Sequence, residues 1–207
     1  FTGGTPASSA LYTPAPVKYN TAGNNRWAYL TVNMLGCKNK DSVSISVKPV
    51  PNAKYTVNSA EGCSPVNVKI TNTSTYANGD IFDWDFDNGT TSNLKDPPPL
   101  VYTATGTDSI YKINLIISSP GGCADTTTQQ ITVHSNPIVS FKSSVNQACA
   151  NDEVTFTSES IAALSWKWYL GDGTTSTDKL VKHKYTSPGT YTIKLVVIGA
   201  YGCADSV

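Results

Sequence analysis

Two seven-residue stretches of this chain have Trp, Gly and Thr at the same places, and this repetition constrains the fold more than any other feature. Residues 84–90 read Trp-Asp-Phe-Asp-Asn-Gly-Thr, and residues 168–174 read Trp-Tyr-Leu-Gly-Asp-Gly-Thr. Residues 1–5, Phe-Thr-Gly-Gly-Thr, match the end of the same stretch. In each case a Tyr, a Gly, an alternating apolar run and a Cys follow. We therefore expect a repeated module, which is typical of stalks and binding arrays and not of catalysts.

The cysteines give the length of the repeat. Cys37 and Cys123 are 86 residues apart. Cys63 and Cys149 have the same separation of 86 residues. Cys123 and Cys203 are only 80 residues apart, which indicates a shorter loop in the last repeat. This period is too long for helical or leucine-rich solenoids, and it suits a complete small β-sandwich.

These spacings predict three units. Residues 1–50 are the C-terminal part of a truncated unit, residues 51–136 are a complete unit, and residues 137–207 are a unit without its last strand. We call them the first, second and third units. Phe1 aligns with Phe86, so the first unit lacks its opening strands. Because there is no initiator Met, signal peptide or long apolar run, we expect the chain to be a segment of a longer protein without membrane insertion of its own.

Composition and periodicity both favour an all-β fold. The chain has 15 basic and 15 acidic residues, so we expect neither nucleic acid nor an anionic membrane as a partner. Charged residues are only 14% of the chain, and Thr, Ser, Asn and Val are abundant, as in extracellular β proteins. Apolar and polar residues alternate in five stretches, which predicts strands with one buried face. These stretches are residues 30–34, 66–70, 82–86, 111–117 and 191–197.

The cysteines recur in register, and we expect them to form disulfides. Cys63 precedes the first apolar alternation of its unit and Cys123 follows the last hairpin strand, so we pair these two. Cys149 and Cys203 occupy the matching places and form the second pair. Cys37 then pairs with a residue upstream of Phe1. The alternative is five free thiols in a cytosolic protein; zinc lacks support because no Cys-x-x-Cys motif is present. Disulfides indicate an oxidising, extracytoplasmic compartment.

Several motifs in order resemble the PKD (polycystic kidney disease) repeat. They are the Trp-x-Phe-x-x-Gly-Thr stretch, the Tyr after it (Tyr102, Tyr185), the next Gly (Gly106, Gly189) and the Tyr-x-Ile-x-Leu strand at 111–115 and 191–195. The third unit keeps the Gly-Asp-Gly of the family's core motif, whereas the second has Asp-Asn-Gly. The resemblance implies tandem immunoglobulin-like β-sandwich modules in an extended array, in which Trp84 and Trp168 anchor the cores.

The Gly-Cys-Ala-Asp-Ser/Thr stretch at 122–126 and 202–206 is similar to PKD arrays in large surface proteins of gliding, type IX-secreting bacteria. This resemblance implies a cell-surface adhesin on the exterior of the outer membrane. In the same bacterial group, Asp-Ser/Thr-apolar is an acceptor for O-glycans. Asp followed by Ser or Thr resembles this acceptor at four residues, which we take as candidate glycosylation sites: Ser42, Ser109, Thr126 and Ser206.

For the other candidate sites, a structural role explains the residues better than a functional one. An acidic run at 80–87 followed by Gly89 falls short of a calcium loop, because the Gly comes too late and no closing carboxylate follows. We expect no cofactor and no metal site, with calcium kept as the alternative. His134 lies in a linker and His183 before a strand, and neither belongs to a catalytic order. Trp27 is either a hairpin core residue or an exposed sugar-binding aromatic.

We expect a non-catalytic spacer of an exported cell-surface adhesin, related to gliding motility. Its predicted partners are neighbouring repeats of the same polypeptide, and surface polysaccharide or other cell-surface proteins. Two alternatives stay open. The units are accessory modules of a secreted hydrolase such as a chitinase or peptidase, or a unit itself binds carbohydrate or protein.

Overall fold

The computed structural model describes all 207 residues, and its regular structure is almost entirely β-strand. A single 3-10 turn, Ala200–Gly202, interrupts the last hairpin. The structure contains no helix with the length and apolar character that a membrane crossing needs. The predicted all-β class is therefore confirmed.

The first unit contributes one antiparallel hairpin, β1 (Gly23–Met34) with β2 (Cys37–Val47). Leu35 and Gly36 connect the strands, and both have positive φ angles, of 50° and 86°. A two-residue turn with this geometry follows the right-handed twist of the flanking strands, and Gly adopts it without strain.

The predicted buried face of this hairpin is wrong. Leu30, Val32 and Met34 alternate as a half-buried strand should, yet all three side chains are exposed. The physical reason is that β1 and β2 form a two-stranded sheet on their own, and no second sheet packs against either face. Alternation predicts which residues share a face, but burial requires a partner layer.

The second unit is a complete sandwich of nine strands. The larger sheet has the order β4-β11-β10-β7-β8, with β4 parallel to β11 and the other pairs antiparallel. Two smaller sheets, β3-β6 and β5-β9, complete it, and their inner side chains join one core of 15 buried residues. The strands are β3 (Tyr55–Val57), β4 (Glu61–Cys63), β5 (Val66–Val68), β6 (Ile70–Asn72), β7 (Ile81–Asp85), β8 (Thr91–Ser92), β9 (Leu100–Tyr102), β10 (Ser109–Ser118) and β11 (Ala124–His134).

The third unit has a similar but smaller arrangement. One sheet has the order β12-β13-β16 and the other the order β15-β14-β17-β18. Between them lies a core of seven buried residues. The strands are β12 (Phe141–Ser143), β13 (Glu153–Ser158), β14 (Ser165–Tyr169), β15 (Thr175–Ser176), β16 (Leu180–Lys184), β17 (Lys194–Ile198) and β18 (Ala204–Ser206).

Each sandwich has a tryptophan at its centre, as predicted. Trp84 in β7 and Trp168 in β14 are both 0% exposed. The indole N–H of Trp84 donates to the carbonyl oxygen of Leu94 at 2.9 Å, and that of Trp168 donates to Asp178 at 2.8 Å. Each ring therefore supplies a large apolar area and still satisfies its single polar group.

A tyrosine hydroxyl, from buried Tyr102 or half-buried Tyr185, fixes the turn after each tryptophan strand. Tyr102 donates to the carbonyl of Phe86 at 3.0 Å, and Tyr185 donates to that of Leu170 at 2.9 Å. Tyr55 adds a further link in the second unit, since its hydroxyl accepts a hydrogen bond from the backbone N–H of Gln129. Burial raises the pKa of Tyr55 to about 12, although the hydrogen bond from Gln129 lowers it. These neutral hydroxyls are hydrogen-bonded to backbone groups of the sandwich, and they place no charge in the core.

We predict that Trp84→Ala destabilises the second unit by about 3–5 kcal/mol, because it removes the largest buried side chain and leaves a cavity. Urea unfolding followed by circular dichroism measures this loss. Trp27→Ala is the matched control, since Trp27 is 37% exposed and should change the unfolding midpoint little. Equal effects of the two substitutions would contradict the assignment of Trp84 as the core anchor.

Candidate functional site

The contact between the second and third units contains a covalent bond and a group of charged and aromatic side chains. It consists of β4 and residues 134–137 on one side and residues 199–203 on the other, and we call it the 2–3 joint. Cys63 and Cys203 form a disulfide across it, with Cα atoms 5.4 Å apart and a sequence separation of 140 residues. The bond therefore links two units to each other.

The predicted pairings of Cys63 with Cys123 and of Cys149 with Cys203 are wrong. In the second unit, Cys63 pairs in register with His134 at the last residue of β11. Cys123 precedes the first residue of the same strand. An 11-residue strand at about 3.3 Å per residue separates these positions by about 36 Å, far beyond the reach of a disulfide.

The third unit separates its cysteines in the same way. Cys149 lines the same groove as Gly189, and Asn151, two residues after it, donates its backbone N–H to Tyr185; both partners precede β17 in the chain. Cys203 follows the end of β17 and is 1% exposed. Cys37, Cys123 and Cys149 are free thiols in the structure. The bond expected between Cys37 and a residue upstream of Phe1 stays a prediction.

His134 lies at the 2–3 joint and contacts two carboxylates. Its Nε2 lies 2.7 Å from Glu61 Oε1 and its Nδ1 lies 2.7 Å from Asp108 Oδ2, so each ring nitrogen is at hydrogen-bond distance from a carboxylate. Two carboxylates accept from one imidazole at once only when both ring nitrogens carry a proton. The hydrogen bond to Glu61, followed by that to Asp108, accordingly raises the pKa of His134 above its ordinary value. The pKa of Asp108 is lowered, first of all by its bond to His134.

Tyr201 covers the His134 ring from the third unit. The two ring centroids are 3.6 Å apart and the planes are inclined by only 15°. A protonated imidazole on an aromatic face gains a cation–π attraction in addition to the contact area. Tyr201 has a positive φ of 57°, which is unusual for a residue with a side chain, and this conformation forms part of the turn before Cys203.

Residues 134–136 are hydrogen-bonded to Ser64, which directly follows Cys63 at the end of β4. The backbone N–H of Ser64 donates to the carbonyl of His134 at 2.9 Å. Asn136 donates through its side-chain amide to the carbonyl of Ser64 at 2.7 Å. Gly199 has no room for a side chain, because an added Cβ would lie 2.8 Å from the carbonyl oxygen of Ala162. The chain is thereby held closely on both sides of the disulfide.

The contact between the first and second units, which we call the 1–2 joint, follows the same plan with different side chains. Lys48 stands 86 residues before His134, and Gly121 stands 80 residues before Tyr201. A Cβ added to Gly121 would lie 3.0 Å from Cγ of Lys48, so these two positions are in contact as His134 and Tyr201 are. The hairpin tip of the second unit thus meets the end of the first unit.

The aspartates of the acidic run at 80–87 accept hydrogen bonds from backbone N–H groups and do not form a cluster of metal ligands. Asp85 accepts from the backbone N–H of Asp87, and Asp87 Oδ2 accepts from that of Lys112 at 3.0 Å. Asp80 accepts from the N–H of Ala77. No three His, Cys, Asp or Glu side chains come together as a set of metal ligands. The role of Asp85 and Asp87 is therefore to hold the turn after β7.

The second histidine also pairs with a carboxylate. His183 Nε2 and Asp172 Oδ2 are 2.7 Å apart. The pKa of Asp172 is lowered to about 2, first by the backbone N–H of Thr174 and then by His183. This pair joins β16 to the Gly-rich turn after β14, and it lies away from the joints.

The candidate glycosylation residues are on strands. Ser42, Thr126 and Ser206 are exposed, while Ser109 is half-buried at the start of β10. Their occupancy stays a prediction. Trp27 is partly exposed and stacks on Tyr29, with centroids 6.2 Å apart.

The third unit has an open groove of about 710 Å³. Its lining includes Phe141, Val154, Tyr185 and Ile193. In the second unit the corresponding space is filled by the second half of β11, which pairs with residues 109–113 and buries Ile131 and Val133. The groove is thus the place that a longer last strand occupies in a complete sandwich.

Comparison with known proteins supports the resemblance to PKD domains. A family model described as PKD domain matches residues 134–207. No curated protein matches the sequence of the chain. Together with the sheet arrangement, the family match makes the fold an all-β, immunoglobulin-like sandwich, as predicted.

Solved structures of related architecture are similar to parts of the chain. The PKD1 domain of the Vibrio cholerae metalloprotease PrtV is 27% identical with a TM-score of 0.31, over 42% of this chain and 99% of that one. The PKD1 domain of Vibrio anguillarum Epp is 21% identical with a TM-score of 0.31, over 42% and 96%. The fibronectin(III)-like modules of Clostridium thermocellum CbhA are 12% identical with a TM-score of 0.33, over 74% and 91%.

We predict that a peptide map under non-reducing conditions links Cys63 to Cys203 and leaves three alkylated thiols, at Cys37, Cys123 and Cys149. The geometry requires this pattern because each sandwich separates its own two cysteines by the length of a strand. Mass spectrometry before and after reduction counts the thiols. A peptide that joins Cys63 to Cys123 would contradict the structure.

We predict that the 2–3 joint loses stability as the pH rises above 6.5. The folded-state pKa of His134 is raised above its ordinary value of 6.5, so its contribution is complete below that pH and is lost as the pH passes through the raised pKa. Thermal unfolding between pH 6 and about pH 9 measures this dependence. His134→Gln should flatten the profile in this range. An unchanged profile in that variant would show that the imidazolium does not stabilise the joint.

Proposed function

We propose that this chain is part of a non-catalytic spacer in an exported cell-surface adhesin, and that its units transmit mechanical load through covalent joints. The observation that carries the proposal is the Cys63–Cys203 disulfide, because it joins two sandwiches and not the two sheets of one sandwich. A bond within a unit would stabilise that unit alone. A bond between units resists their separation and limits their relative rotation.

The disulfide also supports the proposed location outside the cytoplasm. Disulfides persist in oxidising compartments and are rare in the cytosol, so a structural bond of this kind favours a protein that is exported. Closing a loop of 140 residues stabilises the folded state by about 5 kcal/mol in the chain-entropy model. The PKD match of residues 134–207 is consistent with a structural module. The unit boundaries 51–136 and 137–207, the gliding-related role and the O-glycans belong to the same proposal.

The bond changes the path of a pulling force. When tension is applied between Phe1 and Val207, it passes from Cys63 to Cys203 through the sulfur atoms. Residues 64–202 lie inside the closed loop and are not stretched, although they include the whole of the third unit's core. The spacer would therefore keep its length under loads that unfold the same sandwiches without the bond.

The proposed partners are neighbouring repeats of the same polypeptide, with surface polysaccharide or other cell-surface proteins at the distal end of the adhesin. No cofactor is part of the proposal, and calcium is not assigned a site. The full polypeptide separates this role from the alternative: a catalytic domain next to these units would favour accessory modules of a secreted hydrolase.

We predict a short extension when the oxidised chain is pulled from its ends with optical tweezers. Only 68 of the 207 residues lie outside the loop, so the unfolded length should be about 240 Å at ~3.5 Å per residue. Reduction, or the Cys63→Ser variant, should raise it to about 720 Å.

The matched control is Cys37→Ser, which removes an exposed free thiol and should leave the short extension unchanged. A long extension of the oxidised protein would contradict a load-bearing joint. A short extension that also persists in Cys63→Ser would show that some other contact carries the load.

A further inference from the structure

We propose that Cys123 and Cys149 are bonding positions for further units, so that each unit is disulfide-linked to both of its neighbours. The partner at each position is another copy of the same kind of sandwich. Cys149 would bond to the hairpin-tip cysteine of a following unit, and Cys123 to the cysteine near β4 of a preceding unit. This inference does not depend on the adhesin role.

The observed bond defines the pairing rule. Cys63 lies at the end of the second unit that faces the third, and Cys203 lies at the hairpin tip of the third unit that faces the second. Cys149 corresponds to Cys63, and Cys123 corresponds to Cys203, by the spacing of the sequence. Cys123 and Cys149 therefore occupy the two positions that form the observed bond, and each is a free thiol here. We call each of these positions a half-site.

The position of each free thiol agrees with this rule. Cys149 is exposed at the end of the third unit that is remote from Cys203. Cys123 is half-buried at the hairpin tip next to Gly121, which contacts Lys48 of the first unit. The 1–2 joint thus brings together Lys48 and Gly121, the pair of positions that corresponds to His134 and Tyr201 in the 2–3 joint. The thiol of the first unit that corresponds to Cys63 would lie 86 residues before Cys63. This count places it upstream of Phe1.

The chemistry of the step is an ordinary dithiol oxidation. The two Sγ–H bonds break, one Sγ–Sγ bond forms, and two protons and two electrons leave. A small-molecule disulfide such as oxidised glutathione accepts the electrons by thiol–disulfide exchange and is released as two thiols. No metal or other group takes part.

The test extends the chain by one unit at its C-terminus. Because Val207 corresponds to Thr127, a second copy of residues 128–207 is fused directly after Val207. Its Ile131 and Val133 are expected to fill the open groove of the third unit. The extended protein is refolded with oxidised and reduced glutathione and mapped without reduction.

We expect a peptide that links Cys149 to the appended copy's Cys203, together with the original Cys63–Cys203 bond. The original bond reports in the same molecule that the units have folded. If that bond is present while Cys149 is alkylated, or is joined to a cysteine of its own unit, the proposal is overturned. In the Cys149→Ser control, the appended Cys203 should become fully alkylatable while the original bond is retained.

A second extension tests the other half-site independently. Since Phe1 corresponds to Phe86, a copy of residues 51–85 is fused before Phe1, which restores the opening strands of the first unit. We expect the added copy's Cys63 to bond to Cys123. A Cys123 thiol that stays free beside an intact Cys63–Cys203 bond would overturn the proposal for this position.

Discussion

An indole ring that is completely shielded from water organises each sandwich in this molecule. Trp84 and Trp168 place the largest side chain of the chain at the centre of a layer only two sheets thick, and each N–H reaches a backbone carbonyl. The apolar area alone would be compatible with several packings, whereas the hydrogen bond fixes the ring's orientation. The turn after each strand is then held by a tyrosine hydroxyl. The two units therefore share one internal design, although their cores differ in size.

The 2–3 joint adds stabilising contacts between two small domains, which have little surplus stability of their own. The second unit buries 15 core residues and the third unit seven, and the difference includes the second half of β11, with Ile131 and Val133. Two contacts of the 2–3 joint take residues from both units: the Cys63–Cys203 disulfide and the stack of Tyr201 on His134. The carboxylates that flank His134, from Glu61 and Asp108, belong to the second unit like His134 itself. The third unit thus gains stability from its neighbour through the disulfide and the aromatic stack.

The sequence predicted the sandwich better than the joint. Alternation at 82–86 predicted a central strand with Trp84 inside, because period two and burial on one face depend on local residues alone. The same rule was wrong for the hairpin at 30–34, because no second layer covers it. The disulfide pairing was wrong because spacing along a chain does not show which end of a strand a cysteine occupies. The role of His134 depends on carboxylates from Glu61 and Asp108, distant in sequence, and its place in the linker was the one available signal.

The span of the Cys63–Cys203 loop has a consequence for biogenesis. Cys203 is synthesised 140 residues after Cys63, by which time every core residue of the second unit has been made. That unit can finish folding while the thiol of Cys63 still has no partner. The bond thus joins two units that each have a core of their own, unlike the bonds that hold together a small disulfide-rich protein. For the Cys63–Cys203 pair, the unit that is synthesised later therefore supplies the second thiol, and the bond connects domains whose cores do not depend on it.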